Sequence, residues 1–251
     1  AGPCGRDERG SEPFPLTDLQ HAYWLGRTHT LALGGISCHV CFEWRIDDLD
    51  IARFEQAWNK VITRHAMMRA CVNDDGLQQI LPEVPWYPIR ISDWRGDAPS
   101  VQQQKLLEKR GLLSEQVLDA SCWPLFDLQA TRLSDRETRV HLDLDLLTFD
   151  VQSFHIVLAE LESNYHQPER QLPPLSWTFR DYQLAEVRDK ASLSWRNDRD
   201  WWLARLDEIS PAPILPLACQ PDQLTKPEFR RLQRRVDSQH WQRLTQHAAQ
   251  V

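Results

Sequence analysis

The 251-residue sequence contains no apolar run approaching the roughly 18 residues of a membrane span, so no helical crossing is predicted. It also lacks the apolar core of a secretory leader. Residues 1–13, AGPCGRDERGSEP, are polar and rich in Gly and Pro, and read as an interdomain linker. Without a leader, the six scattered cysteines fit a reducing compartment, and a cytoplasmic location is expected. Clustered basic residues interleaved with aromatics are missing, and the net charge is −7, which argues against a nucleic-acid surface. The local patch Arg230, Arg231, Arg234, Arg235 reads as a solvated face. No G-x-S-x-G, G-x-x-x-x-G-K-[ST], H-E-x-x-H or G-x-G-x-x-G occurs, so nucleophile-elbow, P-loop, zincin and dinucleotide chemistries have no support. Internal repeats and low-complexity tracts are absent as well.

What is present is ample core material: 41% hydrophobic residues and 11 Trp, enough for one large domain, or one domain and part of another. The rest of the chain is organised around residues 142–158, LDLDLLTFDVQSFHIVL. Leu142, Leu144 and Leu146 alternate with Asp143 and Asp145, which predicts a strand with leucines packing on one face. His141, Asp143 and Asp145 lie on the other face, which is free to meet a channel. Asp150 fits the N-cap of a following helix, with Phe149 and Phe154 at hydrophobic-staple spacing.

Before this stretch the pattern alternates between helix and strand. Thr17 and Gln20 form a capping box for a short helix closed by Gly26, whose Tyr23 and Trp24 are expected to pack under a loop. A strand is predicted over 36–46. There the C-x-x-C of Cys38 and Cys41 sends its thiols to opposite faces, so no metal is expected. A helix over 50–65 carries Ile51, Phe54, Ala57, Trp58, Val61 and His65 at helical spacing. Short antiparallel strands are predicted over 68–73, 77–81 and 87–92, the first two joined by a turn at Asp74, Asp75 and Gly76. A surface helix over 99–118, interrupted near Gly111, precedes a hairpin of 125–133 with 138–146. Beyond a connector at 166–174 come helices over 179–190 and 194–209, an extended Pro-rich run, a strand over 226–236 and a helix from 238. The chain stops inside that last pattern, which reads as a fragment.

Three chemistries compete for the acids of the central stretch. Paired carboxylates serve acid/base work, bind a hard cation, or hold structure through a cap and an arginine. Spacing does not choose among them. Arg64 and Arg69 are the candidate cations for fixing one of the aspartates, although Arg64 with His65 also suits a helix C-terminus.

Five segments, in order, resemble the heterocyclization domains of nonribosomal peptide synthetases, most of all those of siderophore synthetases of the yersiniabactin and pyochelin type. They are FPLTDLQHAYWLGR (14–27), RHAMMRACVNDDGLQQILPEVP (64–85), DLLTFDVQSFHIVL (145–158), LPPLSWTFRDYQ (172–183) and WWLARLDEISPAPILPL (201–217). The resemblance implies an α/β (α+β) fold. Its expected form is a chloramphenicol-acetyltransferase-like lobe, a mixed sheet with flanking helices, in residues 14–170, with 171–251 forming a connector and the incomplete start of a second lobe. It implies that D-x-x-x-x-D, here Asp145 and Asp150, replaces the H-H-x-x-x-D-G of ordinary condensation domains, which puts Leu146 where the histidine base would stand. Asp145 and Asp150 are then the catalytic candidates, Asp145 facing the tunnel and Asp150 also serving as the structural member, anchored by an ion pair with Arg64 or Arg69. The implied reaction joins an upstream acyl thioester to a Cys, Ser or Thr thioester and cyclodehydrates the product to a thiazoline or oxazoline. The resemblance implies no covalently bound cofactor, the 4′-phosphopantetheine arms being presented by partner carrier domains. A fragment with one tunnel wall is expected to be inactive alone. The rival from another class is a non-catalytic condensation-like module that docks carrier proteins, and a metal-dependent hydrolase is a distant third.

Overall fold

A computed structural model describes residues 12–250 except 29, 30, 32, 212, 221, 222, 225–231 and 233. The strand expected over 226–236 falls largely on residues outside that set. The chain divides into two compact units, residues 1–216 and 217–251. The second contains helix α7 (Ser238–Ala248), capped by the Asp237 carboxylate on the His240 amide at 2.9 Å.

In the first unit the central element is a four-stranded mixed sheet in the order β2 (His39–Asp47), β7 (Glu137–Asp145), β6 (Phe126–Arg132), β5 (Arg90–Asp93). β2 and β7 pair antiparallel with His39 opposite Asp145 and Asp47 opposite Glu137, and β6 and β7 close the predicted hairpin. β5 joins β6 in parallel. An antiparallel meander was expected there, but helix α3 (Pro99–Ser114) intervenes between the two strands, and a helical crossover returns the chain in the same direction. β5 also starts later than its apolar pattern suggests. The buried Asn59 side chain donates to the Tyr87 carbonyl and accepts from the Tyr87 amide, at 2.9 and 2.8 Å, taking the place of a neighbouring strand.

One face of the sheet is apolar. Phe126, Leu128, Ala130, Val140, Leu142 and Leu144 pack on helices α2 (Ile51–Arg64) and α4 (Val151–His166). The 3.6-residue period of Ile51, Phe54, Ala57, Trp58, Val61 and Ile62 turns one stripe of α2 inward, and Trp58 is fully buried, edge-on to Phe126. A second, three-stranded sheet has the order β1 (Phe14–Pro15), β4 (Leu77–Ile80), β3 (Ala70–Val72). Its β3–β4 turn is closed by Gly76 at φ +72°, a left-handed conformation that favours glycine, while the Asn73 carboxamide accepts the Asp75 and Leu77 amides. Helix α1 (Asp18–Gly26) has the predicted capping box of Thr17 with Gln20, and its Trp24 covers Gly76. Helix α5 (Phe179–Asp189) packs Phe179 against Phe14, and α6 (Leu193–Leu203) follows it. α3 runs through Gly111 without a break; at this exposed place a helical glycine costs only about 1 kcal/mol.

The polar face of the central sheet does not meet a channel. α3 closes over it, with Lys109 Nζ donating to Thr131 Oγ1 at 2.9 Å, and His141, Asp143 and Asp145 are all buried. Glu43 Oε2 lies 3.3 Å from His141 Nε2, yet neither ring nitrogen has a hydrogen-bond partner among the described residues. Burial, helped by the charges of Lys109 and Arg110, pushes the His141 pKa down to about 4. Between about 4 and 6.5 the unfolded chain binds a proton that the folded one refuses, so this contribution is full above 6.5 and is lost as the pH falls towards 4. The loss amounts to about 3 kcal/mol. His39 moves the opposite way, raised by its hydrogen bond to Asp143, so the difference between variants isolates the effect. Urea unfolding of wild type and His141→Gln at pH 7 and pH 5 is expected to show the variant losing clearly less stability on acidification. Parallel losses would disprove the assignment.

Candidate active site

A cavity of about 1570 Å³ opens beside the turn that joins β7 to α4. Its walls include residues from four of the five segments singled out in the sequence: Gln20 and Tyr23 of α1, Arg64 to Arg69 at the end of α2 and just beyond it, Leu146 to Asp150, and Leu172 to Phe179. Segments far apart in the chain thus converge on one volume, and residues 201–217 contribute none of its described lining.

The two aspartates are placed differently from expectation. Asp145 is 1% exposed and is absent from the described lining of the cavity. One oxygen, Oδ2, pairs with Arg27 Nη2 and accepts the Ser37 hydroxyl at 2.9 Å; the other, Oδ1, accepts the Leu147 amide at 2.9 Å. Arg27 also donates to the Leu118 carbonyl at 2.7 Å and to Ser37 Oγ at 3.0 Å. Asp145 is therefore the buried anchor.

Asp150 reaches the cavity. It caps α4 by accepting the Ser153 amide at 2.6 Å, as its position predicted, and its carboxylate remains exposed. The Ser153 side chain and then its amide hold this carboxyl below the usual range, so it is ionised at neutral pH. Leu146 lines the same wall.

The expected arginine pairing also needs correction. Arg64 Nε pairs with Glu160 at 3.1 Å, alongside His65 Nε2 at 2.7 Å from the same carboxylate, and not with either aspartate. Arg69 donates to the Ile62 and Thr63 carbonyls at 2.8 and 2.7 Å and to the Leu81 carbonyl at 3.1 Å, closing the open end of α2. Arg27 escaped sequence reasoning. The signal for it was indirect: a carboxylate on a buried strand requires a cation, and an arginine follows the glycine that closes α1.

Two buried carboxamides hold the turn between the aspartates. Gln20 Nε2 donates to the Leu147 carbonyl at 2.6 Å and to Gln78 Oε1 at 3.0 Å, while Gln78 Nε2 donates back to Gln20 Oε1 at 3.0 Å and to the Pro15 carbonyl at 2.9 Å.

Residues 11–251 match the Condensation domain family. The chain belongs to the condensation-domain family. Like this chain, pyochelin synthetase PchF of Pseudomonas aeruginosa carries such a region, 37% identical over 248 residues, which is 97% of this chain and 14% of the synthetase. Phenyloxazoline synthase MbtB of Mycobacterium tuberculosis is 36% identical over 219 residues, 86% of this chain and 15% of that protein. Among solved structures, the cyclization-docking bidomain of the nonribosomal peptide synthetase EpoB from Sorangium cellulosum superposes with a TM-score of 0.86 at 36% identity, covering 96% of this chain and 49% of that one. This condensation-family chain thus spans about half of a solved cyclization-docking bidomain. Its mixed sheet with flanking helices is the α/β arrangement the resemblance implied. No helix among the described residues is long and apolar enough to cross a membrane.

Proposed function

We propose that the chain supplies the first lobe, and the opening of the second, of a heterocyclization domain. That domain condenses a carrier-bound acyl thioester with carrier-bound Cys, Ser or Thr and cyclodehydrates the product to a thiazoline or oxazoline. Residues 14–170 form the lobe in this reading, and 171–251 form the connector and the start of the next. The observation that carries it is an ionised aspartate, Asp150, beside Leu146 on a cavity wall, in a chain whose relatives include a phenyloxazoline synthase and a cyclization bidomain.

The chemistry suits that wall. Ring formation requires a thiol or hydroxyl to lose its proton as it attacks the new amide carbon, and water to leave afterwards. An exposed carboxylate is fitted to accept that first proton, whereas a leucine is not. Asp145 acts at one remove, by fixing the Leu147 amide and with it the turn. Partner carrier domains of the same synthetase would present both thioesters on 4′-phosphopantetheine arms, and the cavity offers the volume for their acyl ends. The chain alone, with one wall, is inactive in this reading.

The test is reconstitution of the complete domain with an aryl-loaded upstream carrier and a cysteine-loaded downstream carrier. Mass spectrometry of the downstream carrier is expected to show the amide and then its loss of one water. A complete domain that binds both carriers yet forms neither amide nor ring would overturn the reading and leave a docking module.

A further inference from the structure

We propose that His39, Cys41 and Asp143 form a zinc-binding site on the polar face of the central sheet, distinct from the cavity. The geometry arises from the ladder. His39 and Cys41 are two residues apart on β2 and so share a face, and Asp143 of β7 is the cross-strand partner of Cys41. His39 Nδ1 lies 2.7 Å from Asp143 Oδ1 and 3.8 Å from Cys41 Sγ, and one ligand atom from each residue falls within 4.8 Å of the others. Thiolate, imidazole and carboxylate bound to one zinc at about 2.0–2.3 Å stand roughly 3–4 Å apart. The sulfur and nitrogen are already at that separation. The nitrogen and oxygen, now hydrogen-bonded, have only a few tenths of an ångström to open.

Two further observations point to a cation. Asp143 is 1% exposed, and its Oδ2 has no hydrogen-bond partner among the described residues, an orphaned buried carboxylate oxygen that an ion would satisfy. The C-terminal end of α3 also presents its carbonyls here: Leu113 O lies 3.4 Å from Cys41 Sγ and Ser114 O lies 3.3 Å from His39 Nε2. A helix C-terminus carries partial negative charge that favours a positive ligand, and the Ser114 contact holds the outer ring nitrogen of His39 so that Nδ1 faces inward. The donor set of one sulfur, one nitrogen and one oxygen suits zinc, with water completing a tetrahedron. Binding exchanges the thiol proton, and the proton between His39 and Asp143, for the metal, and releases both to solvent. The sequence motif is therefore H-x-C with a cross-strand acid; Cys38 of the C-x-x-C instead borders Tyr23. None of the three residues lines the cavity, so the site stands or falls independently of the heterocyclization reading.

The test uses the chain stripped with chelator, re-equilibrated with zinc and dialysed, with metal content and calorimetric titration as readouts. One zinc per chain is expected, with affinity falling at least about tenfold, the lower end of what even an outer-shell change costs, in Cys41→Ser and in Asp143→Asn. Cobalt in place of zinc should give a thiolate charge-transfer band that Cys41→Ser abolishes and that Cys122→Ser, at an exposed cysteine, retains. Should Asp143→Asn fail to fold, the Cys41→Ser and cobalt readouts decide. Wild type retaining no zinc, or Cys41→Ser binding as wild type does, would overturn the site.

Discussion

Arg27→Met is expected to lower the unfolding free energy of this chain by about 3–5 kcal/mol, the usual consequence of removing one partner from a buried ion pair. The arginine side chain is 8% exposed and Asp145 is 1% exposed, so the abandoned carboxylate has no ready access to water. Ser37 and the Leu147 amide still donate to it, but neither neutralises the charge. Arg27→Lys should recover only part of the loss. One ammonium does not reproduce a planar group that reaches Asp145, Ser37 and the Leu118 carbonyl together. Arg27→Met combined with Asp145→Leu should be more stable than Arg27→Met alone, because it removes the orphaned charge rather than burying it. Urea denaturation of the four proteins measures all of this. If Arg27→Met stays within about 1 kcal/mol of wild type, the ion pair is not what holds the turn.

The second large effect concerns Asp150 and separates chemistry from folding. In the complete domain, Asp150→Asn is expected to slow ring closure by about 10²–10⁴-fold, the range for losing a positioned proton acceptor. Stability should barely change, since Asn caps a helix about as well as Asp, whereas Asp150→Ala forfeits the cap at about 1 kcal/mol. Single-turnover assays with loaded carriers, run beside thermal melts, distinguish the two. Wild-type ring closure by Asp150→Asn would remove Asp150 from the chemistry and leave it only as a cap.

Local pattern made much of this structure readable. The stripe of α2, the alternation of β7, the Thr17 and Asp150 caps and the Gly76 turn each follow from interactions within a few residues, and each is found. Pairing across long sequence separations was not readable. Arg27 meets Asp145 across 118 residues, and nothing in the spacing of either chooses the other. Asp145 was expected to face the tunnel and is instead buried against Arg27, while Asp150 lines the cavity, for the same reason: alternation tells which face a strand residue occupies, but not that α3 closes that face. The direction of β5 was missed because its pattern was weighed apart from the helix that follows, although β–helix–β connectivity dictates a parallel return. As for the cavity wall, composition and periodicity gave only two similar carboxylates, and the resemblance singled out Leu146 beside them.

The reciprocal carboxamides of Gln20 and Gln78 carry a mechanical implication. Gln78 belongs to the three-stranded sheet, Gln20 to α1, and the carbonyl that Gln20 grips while Gln78 braces it, Leu147, lies between the two aspartates at the end of the four-stranded sheet. The two sheets share no strand, so sliding of one past the other is resisted at this point by amide hydrogen bonds. A load applied to the small sheet would be delivered to the acidic turn through a linkage two side chains long, as a crank delivers motion to a shaft.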